Sequence, residues 1–238
     1  MSTTRSYKSE LLDADEIPFP AILLNMQELN TINTLLGGHA ITIKGLKQLI
    51  GNKKSINVCE IGCGGGDNLA AVFKYCQKNN IAVQLIGVDL KPSCIEVAKQ
   101  HSLLKNNTQF ICSDYALVHF DEKPDIIFSS LFCHHFIEIQ LVQQLQWMRQ
   151  QSKLGFFIND LHRHWLAYAS IKLLTQLFSK SYLVKNDAPL SVQRGFLQQE
   201  WKMIFKQAGI THYSIGWQWA FRHLIVYKQL NYSYGSRL

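Results

Sequence analysis

No uncharged apolar run in the 238 residues approaches the ~18 that a membrane-spanning helix needs. Met1 to Glu10 is polar throughout and lacks a signal h-region, so the expectation is a cytoplasmic protein without a membrane span. The six cysteines, at 59, 63, 76, 94, 112 and 133, include no CxxC pair. Several lie on apolar stretches that read as buried strands, and they are expected to be reduced thiols. The net charge of +7 suits nucleic acid only if Lys and Arg gather on one face with aromatics between them. They are scattered instead, with Lys53-Lys54 the one adjacent lysine pair near the expected sheet, so nucleic acid is not expected as a partner. With 47% hydrophobic and 17% charged residues, the rest is ordinary globular composition, and a chain of this length can form one α/β core.

What is present is a glycine loop. Residues 58 to 66 read Val-Cys-Glu-Ile-Gly-Cys-Gly-Gly-Gly, just past an apolar run holding Ile56 and Val58. Glycine at 62, 64 and 66 lets the backbone turn through positive φ and leaves no Cβ between the loop and a ligand, while the next helix offers free N–H groups. A dinucleotide fingerprint is excluded, because it needs its third glycine three places after the second, where this chain has Asp67. An acid at the helix start also disfavours phosphate. The loop suits a ligand with a cationic end and no pyrophosphate, such as S-adenosylmethionine, whose ammonium Glu60 can serve directly or through water. The alternative is a tight structural turn.

At these residues the chain resembles the class I S-adenosylmethionine-dependent methyltransferases, whose first motif is acid-x-Gly-x-Gly-x-Gly. A second apolar strand, Val83 to Val88, is closed by Asp89, 23 residues after Gly66 and near the ~20-residue offset at which a strand-tip acid reaches ribose hydroxyls. The alternative for Asp89 is a plain N-cap of a helix starting near Pro92. A third strand, Gln109 to Cys112, ends in Ser113-Asp114-Tyr115. The resemblance implies that Asp114 faces the adenine amino group and Tyr115 packs by the ring, with Cys63, Leu90 and Ser130 also beside the cofactor. Asp114 in a surface turn is the other possibility.

Periodicity orders the remainder. Leu69, Val72, Phe73 and Cys76 mark one helical face; Asp125 to Ser129 reads as strand four and Leu154 to Ile158 as strand five. Leu141, Leu145 and Met148 stripe one helix, and Leu197, Trp201, Ile204, Phe205 and Ala208 another, stopped by Gly209. Ile210 to Ile215 and Phe221 to Tyr227 can pair as the last two strands. Strands separated by helices predict a parallel sheet, and the resemblance adds a closing antiparallel strand at 221 to 228. The fold class is therefore a Rossmann-like α/β methyltransferase fold with a seven-stranded, mostly parallel sheet. Residues 1–50 are expected as an N-terminal helical cap, with Ile22, Leu23, Met26, Leu29, Ile32 and Leu36 at roughly helical spacing and Gly37-Gly38 as a stop, and 51–238 as the methyltransferase domain. An aromatic-rich insertion at about 160–195, placed over the strand ends, is expected as a lid on an apolar pocket. Extra core or a homodimer surface is the alternative for that insertion.

Methyltransferases acting on amino or amide nitrogen typically carry Asn or Asp followed by Pro-Pro-aromatic after strand four. This chain has Ser129-Ser130-Leu131-Phe132-Cys133-His134-His135-Phe136 there, which looks more like the small-molecule branch that methylates phenols, quinols and polyketides. Glu10 to Asp13, Leu29 to Gly38, Asn159 to Arg163 and Ser191 to Phe196 further resemble methyltransferases encoded beside bacterial type III polyketide synthases. A phenol, of ordinary pKa ~10, gains from a general base, for which His134 or His135 is the candidate and His162 or His164 the reserve. Phenolate also activates ring carbons, so O- and C-methylation both remain open, quinone-type C-methylation included; the alternative from another class is a binding module that holds S-adenosylmethionine without catalysis. No metal is expected, and Cys133 has no visible activating partner. Arg163 is expected either to meet an acidic substrate group or to pair with Asp160.

Overall fold

The computed structural model describes residues 4–229; the outermost residues of the expected cap, 1–3, and of the expected domain, 230–238, lie outside that range. Seven strands run β1 (Ser55–Ile61), β2 (Ala82–Asp89), β3 (Thr108–Cys112), β4 (Ile126–Ser130), β5 (Gly155–Leu161), β6 (Tyr213–Gln218) and β7 (Arg222–Lys228). Eight helices accompany them among the described residues: α1 (Phe19–Leu35), α2 (Gly38–Ile50), α3 (Asp67–Lys78), α4 (Pro92–Lys99), α5 (Glu138–Gln151), α6 (Trp165–Phe178), α7 (Tyr182–Arg194) and α8 (Gln198–Gln207). The sheet order is β3-β2-β1-β4-β5-β7-β6, with β7 antiparallel to both neighbours and the other pairings parallel.

The central strands are near-continuous apolar runs because both faces are covered. Successive side chains alternate between two cores, as the pleat requires. Ile127, Phe156, Ile158, Ile225 and Tyr227 pack on one side with Leu141, Leu145 and Met148 of α5 and Trp201, Ile204 and Phe205 of α8. Ile126, Phe128, Phe157, Leu224 and Val226 pack on the other with Leu46 and Leu49 of α2 and Leu69 and Val72 of α3. Gly45 lets α2 lie close on β5: a Cβ there falls 2.5 Å from the Phe157 ring.

Each expected strand and helical face is present, with end points moved by a few residues where hydrogen bonding continues past the apolar run. β5 extends to Leu161, so polar Asn159 and Asp160 are strand residues, paired with Leu224 and His223. Strand six begins at Tyr213 rather than Ile210, which instead packs in the core behind α8. After Gly37, at φ 74°, the chain starts a second helix, α2. Strand order reverses beside β1, and the crevice beyond the carboxyl ends of β1 and β4 is where an open α/β sheet receives ligands.

Candidate active site

A cavity of about 800 Å³ fills that crevice. The glycine loop, the tips of β2 and β4, α1, α6, α7 and the β6–β7 turn supply its walls. The loop is folded by main-chain bonds: Cys63 N–H donates to the Val88 carbonyl at 3.0 Å, and Gly66 N–H to Cys63 at 2.8 Å. Gly62, at φ 68°, passes so close to Phe132 that a Cβ would sit 2.2 Å from the ring. Gly66, at φ 79°, is the N-cap of α3.

Acids ring this end. Glu60 is 1% exposed, and its Oε2 has no hydrogen-bond partner among the described residues. Burial, then the nearby Asp67 and Asp89 carboxylates, push its pKa well above the ordinary glutamate range. Asp89 accepts Gly64 N–H through Oδ2 and Lys91 N–H through Oδ1, both at 2.9 Å. Burial raises its pKa, and those two N–H groups partly oppose the rise. Lys91, not Asp89, is the N-cap of α4. Asp114 caps the 3-10 turn Tyr115–Leu117 through Ala116 N–H, 2.9 Å away. The Tyr115 ring meets Phe132, Phe136 and Trp147 edge-on. Gly62, Cys63, Gly64, Leu90 and Ser130 line the cavity with them; Gly66 does not, acting as the helix cap behind the loop.

The opposite wall holds the histidines. The chain leaves β4 through Leu131, at φ 53°, and enters a 3-10 turn, Cys133–His135. His134 Nδ1 bonds Asp160 Oδ1 at 2.8 Å, and its Nε2 lies 3.6 Å from Glu10 Oε1. His135 places Nε2 3.8 Å from Glu10 Oε2 and Nδ1 3.4 Å from Asp13 Oδ1. Burial works to lower the His134 pKa, but the Asp160 carboxylate with Glu10 outweighs it and lifts the value to about 9. Burial likewise opposes ionisation of Glu10, which the two imidazoles overcome, holding it below its ordinary value. Ligand-type atoms of Glu10, His134 and His135 lie within 4.8 Å of one another, yet these groups pair among themselves as an acid–base network.

Two buried arginines hold this turn. Arg5 donates to the carbonyls of His134 and Phe136, and Arg194 to those of His134 and His135. Ser191 donates to Glu10 at 2.6 Å, while Asp187 accepts the N–H groups of Leu11 and Leu12. The segments 10–13 and 191–196, far apart in sequence, thus meet at the histidines.

The other polar candidates lie elsewhere. His164 caps α6, accepting Leu166 N–H, and His162 packs on His223; neither lines the cavity. Arg163 pairs with Glu200 at 2.7 Å rather than with Asp160, whose oxygens are taken by His134. Cys133 is buried between Ser129 and Gln144, and burial pushes its thiol well above the ordinary value, so it is no nucleophile.

The methyltransferase-domain family model matches residues 52–209. The chain belongs to that family. This methyltransferase has no match among curated proteins. Among solved structures it is similar to the plantazolicin methyltransferase BpumL in complex with S-adenosylhomocysteine, at 18% identity over 91% of each chain and a TM-score of 0.64. A SAM-dependent methyltransferase from Aquifex aeolicus shares 17% identity over 89% of this chain and 98% of that one, with a TM-score of 0.60. Human N-acetylserotonin methyltransferase in complex with SAM shares 17% identity over 89% of this chain, which spans only 56% of the longer human chain, at a TM-score of 0.60.

The residues fit S-adenosylmethionine. The unpartnered Glu60 oxygen is the group an ammonium would satisfy, and the surrounding carboxylates favour a ligand of net positive charge. Sequence reasoning missed the roles of Arg5, Glu10, Asp13, Asp160 and Arg194. Glu10, Asp13, Asp160 and Arg194 stood inside stretches already noticed, but nothing local announces partners that lie from 26 to more than 100 residues away.

Proposed function

We propose that this methyltransferase passes the methyl group of S-adenosylmethionine to an oxygen or carbon of a small phenolic, aromatic or polyketide-derived acceptor, with His135 as general base. One observation carries the reading: a single cavity joins the acidic glycine loop to the paired imidazoles. When bound, the cofactor supplies an electrophilic methyl on a sulfonium. Glu60 holds its ammonium, Asp89 its ribose hydroxyls and Asp114 its adenine amino group, with Gly62, Cys63, Gly64, Leu90, Tyr115 and Ser130 shaping the walls and Gly66 closing the loop behind them.

Apolar side chains of α1 and α6, with the Phe132 and Phe136 rings, make the acceptor end a place for a flat, largely apolar molecule. Names such as plantazolicin and N-acetylserotonin show that this fold serves unlike acceptors, so the acceptor class rests on these walls. His134, with a pKa of about 9, already carries its proton at neutral pH and stabilises a phenolate by its charge. His135 takes the acceptor's hydroxyl proton at Nε2, and Glu10, 3.8 Å away, steadies the imidazolium that forms. Residues 1–50 act as a cap, and the insertion at about 160–195 as a lid, on the domain at 51–238.

The test is S-adenosylhomocysteine formation with a panel of alkylresorcinols, hydroxycinnamates and quinols. His135→Gln is expected to lower kcat by about 10²- to 10⁴-fold on a phenolic acceptor while donor affinity by calorimetry stays within about twofold. Undiminished turnover in that variant would remove His135 as the base.

A further inference from the structure

α6 presents a surface that methyl transfer leaves unused. Of its 14 residues only Ala167 and Thr175 are buried. Its inner side, with Ala167, Ser170, Ile171 and Leu174, lines the cavity. Its outer side leaves Trp165, Leu173, Leu177 and Phe178 in water, the last 77% exposed. Leu166 and Leu174 do both, so apolar side chains at the cavity wall are also open to the exterior. The patch continues sideways through His164, stacked on Phe221 at 4.8 Å, to exposed Trp217, whose ring meets Phe221 edge-on. Trp219, also exposed, stands at the cavity margin beside Phe221. A contiguous apolar surface of this kind marks an interaction site.

Charge selects the occupant. Residues 164–186 carry Lys172, Lys180 and Lys185 and no aspartate or glutamate. Glu28 reaches this region from α1, but its carboxylate is taken by the Ser179 hydroxyl and the N–H groups of Lys180 and Ser181. A second copy of the chain, packed through this face across a two-fold axis, would bring two lysine-bearing surfaces together with no carboxylate of residues 164–186 to pair them. An anionic bilayer answers both features, since Trp and Leu side chains settle at headgroup level while lysines gain from the negative leaflet.

We propose that the outer face of α6, with Trp217 and Trp219, docks on an anionic membrane surface. No described helix is long and apolar enough to cross a membrane, so the contact is peripheral. Entry of an amphiphilic acceptor from the bilayer through the mouth at Leu166 and Leu174 rests on the methyl-transfer reading; the docking does not.

Co-sedimentation of the full chain with vesicles tests it. Binding is expected with equal parts phosphatidylglycerol and phosphatidylcholine, not with phosphatidylcholine alone, and should weaken as salt is raised. Replacing Lys172, Lys180 and Lys185 by Gln should cut partitioning roughly 100-fold, about 5-fold per lysine. Leu177→Ser with Phe178→Ser should also release the chain from vesicles; both residues are exposed, so the melting temperature should hold. Failure to bind anionic vesicles, binding indifferent to both variants, or a solution dimer that Phe178→Ser dissolves would each overturn the proposal. Turnover of a soluble acceptor without vesicles reports separately on methyl transfer, and the docking variants should leave that rate unchanged.

Discussion

At the scale of single residues, carboxylates line the cavity end proposed for the donor, and one oxygen of Glu60 has no hydrogen-bond partner among the described residues. Asp89 spends part of its charge on Gly64 and Lys91 N–H groups, which aim the carboxylate and brace the loop at once. Asp89→Ala should therefore weaken S-adenosylhomocysteine binding by at least 10-fold, about 1.4 kcal/mol, in calorimetric titration; unchanged affinity would remove it from the site. These residues were legible in the sequence because a glycine turn and a strand-tip acid declare themselves within ten residues of chain. Glu10, Asp160 and Arg5 were not, since their meaning depends on partners brought by the fold. Arg163 shows the converse: Asp160 lies three residues away, yet β5 carries it toward His134 while Arg163 turns to Glu200.

Among elements, the N-terminal segment acts as a strap across the histidine turn. Arg5 makes three hydrogen bonds to main-chain carbonyls, of Arg194, His134 and Phe136, and stacks over Phe196 at 4.0 Å. Arg5→Ala takes this donor from the carbonyls of Arg194 and Phe136 and leaves that of His134 with Arg194 alone, so a loss of about 2–4 kcal/mol in denaturant unfolding is expected, along with lower kcat as the turn holding His134 and His135 loses support. Gly45→Ala tests the α2–β5 contact: its Cβ must displace Phe157, at a cost of about 1–3 kcal/mol. Helical and strand periodicity were readable because burial on one stripe or on both sheet faces writes itself into apolar spacing. The start of α2 was not, because Gly37-Gly38 reads as a stop while the backbone at Gly37 serves as the cap of a new helix.

At the scale of the whole molecule, the buried ionic network makes stability depend on pH. His134 rises from an ordinary 6.5 to about 9 in the fold, so its contribution is fully present below pH 6.5 and lost as pH climbs through 9. The expected loss is roughly 3 kcal/mol, seen as a fall in melting temperature over that window that His134→Gln should largely abolish. Glu10, Asp13 and Asp160 are held below their ordinary values and act with the opposite sign, their share being lost as the solution is acidified. In the proposed function, one cavity brings a sulfonium donor, gripped at the tips of β1, β2 and β3, up to the paired histidines. A crystal structure with bound S-adenosylhomocysteine tests this most directly. The amino group is expected at Glu60, the ribose at Asp89 and the sulfur turned toward His134 and His135; a ligand outside the cavity, or with its sulfur facing away from both rings, would overturn this arrangement.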